Sequence, residues 1–176
     1  MNRTNSKDKE SMDNALHQLF VDGLKDLLWA EEALNKNLPK MAKGATSKEL
    51  KTAFENHHKE TVGHIEKLKQ AFKSLDEPAK AVKCKAMEGL LEEAEELLAS
   101  QESGSMARDA ALIVAAQKIE HYEIASYGTL ATFAKLMGHK EAKKLLGEIL
   151  EEEKNADSLL TEVAESFINQ AAMEEE

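Results

Sequence analysis

The chain has 176 residues, 42% of them hydrophobic and 32% charged, and a formal net charge of −10. That length suits one domain with a substantial core, and the acidic balance argues against electrostatic binding to nucleic acid or anionic lipid. A single cysteine, Cys84, excludes an intramolecular disulfide, no apolar run approaches the roughly 20 residues of a membrane span, and the opening MNRTNSKDKE lacks a secretory apolar region; a cytoplasmic protein is expected.

Ala, Leu, Glu and Lys dominate, with only two prolines and eight glycines, which favours helix over sheet. Residues 1–10 read as a flexible tail, 11–170 as one bundle domain and 171–176 (AAMEEE) as a second, acidic tail. The first helix is predicted from about Met12 to Lys43, on Leu16, Phe20, Leu24, Leu27, Leu34, Leu38 and Met41. Pro39 should bend it and Gly44 should cap it. Thr46-Ser47-Lys48-Glu49 reads as a capping box for a second helix, which carries Leu50, Phe54, Thr61, Ile65, Leu68 and Phe72 and ends before Pro78.

A linker over Glu77–Lys83 leads to a short acidic helix from about Cys84 to Ser100, whose Glu92, Glu93, Glu95 and Glu96 read as a solvated face. Ser105 is the expected N-cap of the next long helix, which Gly138 ends after Met137. The last helix is predicted from about His139 to Ala171, on Leu146, Ile149, Ala156, Leu160, Val163 and Phe167. Short turns make each flanking pair of long helices antiparallel. The long central connection travels back along the outside, so the second and third long helices run parallel. The fold class is therefore all-α: a ferritin-like up-down-down-up four-helix bundle with an extra crossover helix.

The informative residues break the apolar stripes. Glu31 lies between Leu27 and Leu34, and His57 between Phe54 and Thr61, with Glu60 at the border of that face. Glu120 and Glu123 lie on the stripe that runs from Leu112 and Ala116 to Tyr127 and Leu130. Glu153 falls between Ile149 and Leu160, with Asp157 one turn beyond and Glu152 at the edge of the face. His64 and His121 read as non-ligands, His64 covering the end of the site. Tyr127 reads as a core tyrosine with a polar partner, or else as a redox-active phenol. Buried carboxylates from four helices repel one another unless cations lie among them, and oxygen with imidazole suits iron or manganese. If the second and third long helices are parallel and Glu60 is level with Glu123, His57 is level with Glu120. Val21, Leu28 and Trp29 lie off the stripe of the first helix, so the crossover helix or a second subunit is expected to cover them.

LKDLLWAEEALNKNLPKM, FENHHKET, KCKAMEGLLEEAEEL, ARDAALIVAAQKIEHYEIASYGTL and LEEEKNADSLLTEVA, together spanning about residues 16 to 165, resemble the YciF/YciE-type bacterial stress-response proteins. The resemblance implies a ferritin-like protein related to rubrerythrins, a homodimer, and a dinuclear centre of two Fe ions, with Mn as the alternative. Glu31 matches the single first-helix glutamate of rubrerythrin-like sites, and Glu120-x-x-Glu123 their third-helix pair. Two positions depart from that pattern, because His57-x-x-Glu60 reverses the usual Glu-x-x-His and Ala156 stands where a histidine would succeed Glu153. The metal ligands expected on this basis are Glu31, His57, Glu60, Glu120, Glu123, Glu153 and Asp157, with Glu60 and Glu153 bridging. Two functions are therefore expected: a di-iron protein consuming oxygen or peroxide or oxidising Fe(II), or a non-catalytic protective or partner-binding bundle with a structural metal.

Overall fold

The computed structural model describes residues 15–175, so the expected N-terminal tail and the start of the first helix lie outside the described residues. The five main helices are, in order, α1 Ala15–Gly44, α2 Lys48–Ser74, α3 Lys85–Ser100, α4 Met106–Leu136 and α5 Lys140–Val163. A π-helical turn, Ala164–Ile168, then joins α5 to the short α6, Asn169–Glu174. No strand occurs among the described residues.

α1 packs on α2 and α4, and α5 packs on α2 and α4, so the four long helices form a square. Direction is set by which residues meet. Gly23 of α1 faces Leu130 near the end of α4, whereas Thr46, just past α1, bonds Ser105 and Asp109 at the start of α4. The two helices are therefore antiparallel. α2 and α4 both run from one half of the core to the other in the same sense, Leu50 to Leu68 alongside Leu112 to Leu130. This is the up-down-down-up order read from the connection lengths, and α3 crosses the outside against α4 and α1.

The helix ends differ from expectation in several details. Ser47, not Thr46, caps α2: its side chain accepts from Leu50 N at 3.2 Å. The box pattern misled because Thr46 is engaged elsewhere, its hydroxyl donating to Ser105 O. The amides of Thr46 and Ser47 donate to the two carboxylate oxygens of buried Asp109, at 2.6 and 2.7 Å. Gly44 is no left-handed cap, for α1 runs through it. A β-carbon there would stand 2.9 Å from Leu98 Cδ1, so the glycine admits α3 against α1. Pro39, the residue expected to bend α1, lies on its exposed face, where a freed carbonyl can be hydrated, and the helix continues to Gly44. Ser105 caps α4 as expected, accepting from Arg108 N at 3.1 Å. The C-terminal residues are helical as far as Glu174, and Glu175 accepts from Met106 N and Ala107 N at 2.5 and 2.9 Å. That carboxylate sits where the dipole of α4 favours negative charge.

Val21 and Leu28 are buried within the single chain, beneath a linker whose Val82 N donates to Lys25 O. Trp29 is half-buried and lines a groove with Glu88 and Leu91 of α3. The crossover thus covers the flank, and these residues require no second subunit. No described helix is long and apolar enough to cross a membrane.

Candidate metal centre

The apolar core has two halves. One gathers Leu34, Leu38, Leu50, Phe54, Leu112, Ile119 and Leu160; the other gathers Phe20, Leu24, Leu68, Phe72, Leu130, Leu146 and Ile149. Between them every long helix contributes a polar side chain to one layer. Glu31 comes from α1, His57 and His64 from α2, Glu120 and Glu123 from α4, and Glu153 from α5. All six are buried, and Glu31, His64, Glu123 and Glu153 are fully so. Helical geometry explains the meeting: three- and four-residue steps return to one face, and seven residues, the interval from His57 to His64, make two turns.

Two constellations share this layer. His57, Glu120, Glu123 and Glu153 each offer one donor atom within 4.8 Å of the others, and Glu31, His64 and Glu153 do likewise. Glu153 belongs to both. His57 Nε2 lies 3.2 Å from Glu120 Oε1 and 3.8 Å from Glu153 Oε2. His64 Nδ1 lies 3.4 Å from Glu31 Oε1 and 3.0 Å from Glu153 Oε1. The far nitrogen of His64 is 2.9 Å from Glu152 Oε2, and Lys67 Nζ donates to both oxygens of Glu152 at 2.7 Å. A carboxylate on the outer nitrogen fixes the orientation and tautomer of an imidazole, as around metal-ligating histidines. Tyr127, fully buried, donates its hydroxyl to Glu31 Oε1 and so acts as a core tyrosine with a polar partner.

Of the expected residues, Glu31, His57, Glu120, Glu123 and Glu153 come together, and His57 is level with Glu120 as inferred from the spacing. His64, expected to cover the end of the site, stands inside it. Glu60 and Asp157 stand outside both constellations. The Glu60 side chain is 48% exposed, with Oε2 3.5 Å from His57 Nδ1, so it faces solvent at the border of the layer. Asp157 accepts from Gln117 Nε2 at 3.4 Å and pairs with exposed His121 at 3.3 Å. The signal for His64 was its two-turn interval from His57.

Electrostatics favour protons or cations here. Burial, reinforced by the charge of Glu153, holds Glu31 above the ordinary carboxylate value, and Glu120 and Glu123 stand well above it, chiefly through burial. Burial opposes charge on His57, but the facing carboxylates, Glu120 foremost, outweigh it and push the imidazole up to about 9. Glu153 and Glu31 do the same for His64, to about 11. Partly exposed Glu60 shifts the other way, lowered by its contact with His57. For Glu31, Glu120, Glu123, His57 and His64 the shift runs one way, towards holding the proton in the folded chain.

The donor set could hold a metal ion. Four buried carboxylates with two charged imidazoles leave a net −2, and with neutral imidazoles −4, a charge that a bound cation would offset. Within the layer Glu31 Oε2, Glu120 Oε2, His64 Nδ1 and both side-chain donors of His57, Glu123 and Glu153 have no hydrogen-bond partner. Buried polar atoms are rarely left so. Oxygen-rich ligation with imidazole suits divalent cations.

An antiparallel bundle of ferritin-like order, with a buried carboxylate–histidine layer able to hold a metal ion, is the class of protein that this fold and site define. Residues 15–173 match the family described as a domain of unknown function, DUF892, and the chain belongs to that family. It is 48% identical over 158 residues to Protein YciF of Escherichia coli (strain K12), covering 89% of this chain and 95% of that protein. The crystal structure of the E. coli stress protein YciF matches with a TM-score of 0.85 at 47% identity, covering 89% of this chain and 99% of that one. YcfI from Rhodopseudomonas palustris matches with a TM-score of 0.81 at 38% identity, covering 84% and 94%. The stress-protein resemblance read from the sequence is thereby established.

Proposed function

We propose that the central layer binds two transition-metal ions, iron foremost and manganese as the alternative, and that the protein serves a cytoplasmic stress response by redox chemistry on oxygen or peroxide. One observation carries this reading: donor atoms from all four long helices, without hydrogen-bond partners, converge in one buried layer. His57, Glu120, Glu123 and Glu153 would hold one ion; Glu31 and His64, sharing Glu153, would hold the other. A di-iron pair would supply the electrons for reducing a small oxidant. The chain's own residues orient the donors, exclude bulk water and hold protons. His64 is steadied by Glu152 and Lys67, and Tyr127 keeps one oxygen of Glu31 occupied while leaving the other free. His57 lies beneath a cavity of about 160 Å³ lined by Phe54, Glu60, Ala156 and Leu159, which offers a small molecule a way in.

Anaerobic loading with Fe(II), then exposure to air or to hydrogen peroxide, tests the proposal. Rapid growth of ferric charge-transfer absorbance, with close to two irons retained per chain, supports it. Tight metal binding without oxidation supports the second reading, a structural metal, which the full burial of Glu31 and Glu123 between two apolar halves also suits. Failure to retain any metal defeats both.

A further inference from the structure

The two constellations of the central layer meet the outside differently. Of the six buried donors, only His57 and Glu120 line the cavity of about 160 Å³ between α2 and α5. Its walls are apolar: Phe54 and Leu160 are buried, Leu159 is 42% exposed, and Ala53 and Ala156 bring only methyl groups from α2 and α5. Two small side chains on packed helices leave a gap that a larger pair would fill. At the rim stand Asn56, Glu60 and Asn155, all exposed. Among the described residues that line the cavity, Glu60 carries the only exposed charge, and its Oε2 lies 3.5 Å from His57 Nδ1.

The side holding Glu31 and His64 is closed. Both side chains are fully buried, Tyr127 occupies one oxygen of Glu31, and the outer nitrogen of His64 meets Glu152, itself held by Lys67. What joins this side to the first constellation is Glu153, which belongs to both. A charged species crosses a packed apolar region only at high cost, so an ion passes in or out beside whichever donors reach the cavity. Those are His57 and Glu120.

We propose that this cavity is the route by which divalent cations enter and leave the layer, and that Glu60 captures them at its mouth. The ion beside His57 then exchanges before the one beside His64. The inference rests on the two-ion reading above and adds to it an order of exchange and a residue that acts in transit. Glu60 meets the ion from outside the resident donors, so its charge lowers the barrier to entry and to exit alike. Its removal slows both rates by one factor and leaves affinity nearly unchanged, whereas loss of a resident ligand hastens release and weakens affinity. One charge facing a divalent ion at about 5 Å in water is worth roughly fivefold in rate once low salt has screened it.

Stopped-flow loading and release of Co²⁺, a spectroscopic stand-in for Fe(II) or Mn(II), tests this on the full-length chain. Release from the loaded protein into excess EDTA should show two phases of equal amplitude. Glu60→Gln should slow loading and the first release phase by about the same fivefold factor at low salt, and high salt should shrink the difference. Stoichiometry and affinity should stay those of the wild type. Ala156→Leu, which fills the cavity and removes no donor, should slow loading and both release phases whatever the salt. Circular dichroism checks that both variants keep their helicity. Both ions leaving in a single phase, or wild-type rates in either variant, would overturn the proposal. Protein that retains no Co²⁺ removes the two-ion reading as well, an outcome distinct from the other two.

Discussion

His64 Nδ1 stands 3.0 Å from Glu153 Oε1, at the level where the two halves of the core part, and both side chains are fully buried. The contact joins α2 to α5 and brings the glutamate common to both constellations against an imidazole steadied from outside by Glu152 and Lys67. Any change at Glu153 is therefore felt by both.

Metal content should reflect that sharing. Glu153→Gln should depress binding of both proposed ions, and Glu123→Ala should remove chiefly the one proposed beside His57. Glu60→Gln, at a solvent-facing position, should leave the equilibrium content near that of the wild type. Elemental analysis of folded variants checks this; a loss in Glu60→Gln as deep as in Glu123→Ala would return Glu60 to the ligand set.

Stability without metal should fall as pH rises. Glu31, Glu120 and Glu123 have folded values raised above the ordinary 4.5, so their contribution is complete below about pH 4.5 and is lost on passing upward through the raised values. His57 and His64 are raised from 6.5 to about 9 and about 11, so theirs is complete below pH 6.5 and lost through those higher values. Both sets act in the same sense, so charging of His57 adds to the trend rather than offsetting the carboxylates. Each extra proton retained on folding costs about 1.4 kcal/mol per pH unit of rise. Chelated protein should melt at a lower temperature at pH 8.5 than at pH 5.5. A metal bound as proposed would select the deprotonated layer, so the gap between loaded and chelated protein should widen over the same interval. A constant gap would mean that the layer does not titrate as a metal-binding unit.

Asp109 should matter more than the helix cap beside it. Asp109→Ala leaves the amides of half-buried Thr46 and buried Ser47 without their acceptor, and the buried Ser47 orphan alone costs about 1–3 kcal/mol. Ser47→Ala should cost only about 1 kcal/mol, the usual worth of an N-cap. Urea unfolding of the two variants distinguishes them, and equal losses would show that the amides find other partners.

Cys84 should be inert in the folded chain. It is buried, its sulfur accepts from Met87 N and meets the Tyr122 hydroxyl at 3.1 Å, and burial raises the thiol above its ordinary value. A thiol-specific disulfide reagent should therefore react no faster than the chain unfolds. Labelling that outruns loss of helicity would indicate local opening at the start of α3.

Legibility in the sequence tracked periodicity. The long helices, their directions and five of the buried donors could be read because three- and four-residue steps place a residue on a face and connection lengths limit topology. Glu60 shows the weakness of that signal, since a residue at the border of a face can turn inward or outward, and here solvent wins. Asp157 lies one turn from Glu153, but Gln117 and His121 are near enough to hold it outside the layer. His64 lies on a readable stripe, two turns from His57, yet spacing alone does not separate a ligand from a residue that merely covers the site. Asp109 gave no such signal: an acid in the first turn of a helix ordinarily serves that helix, whereas this one serves a turn 62 residues earlier in the chain.

The π turn at Ala164–Ile168 has a consequence for how the chain ends. A π turn takes in about one residue more than an α turn, so the segment beyond it is set back by roughly 100° about the helix axis. That setback aims α6 so that Glu175 reaches the free amides of Met106 and Ala107. Removing one residue from the turn would shorten the chain by only about 1.5 Å but rotate everything after it by more than a quarter of a circle. The terminus is thus positioned by angular phase more than by reach, and a lengthened tail would be tolerated better than a single deletion here.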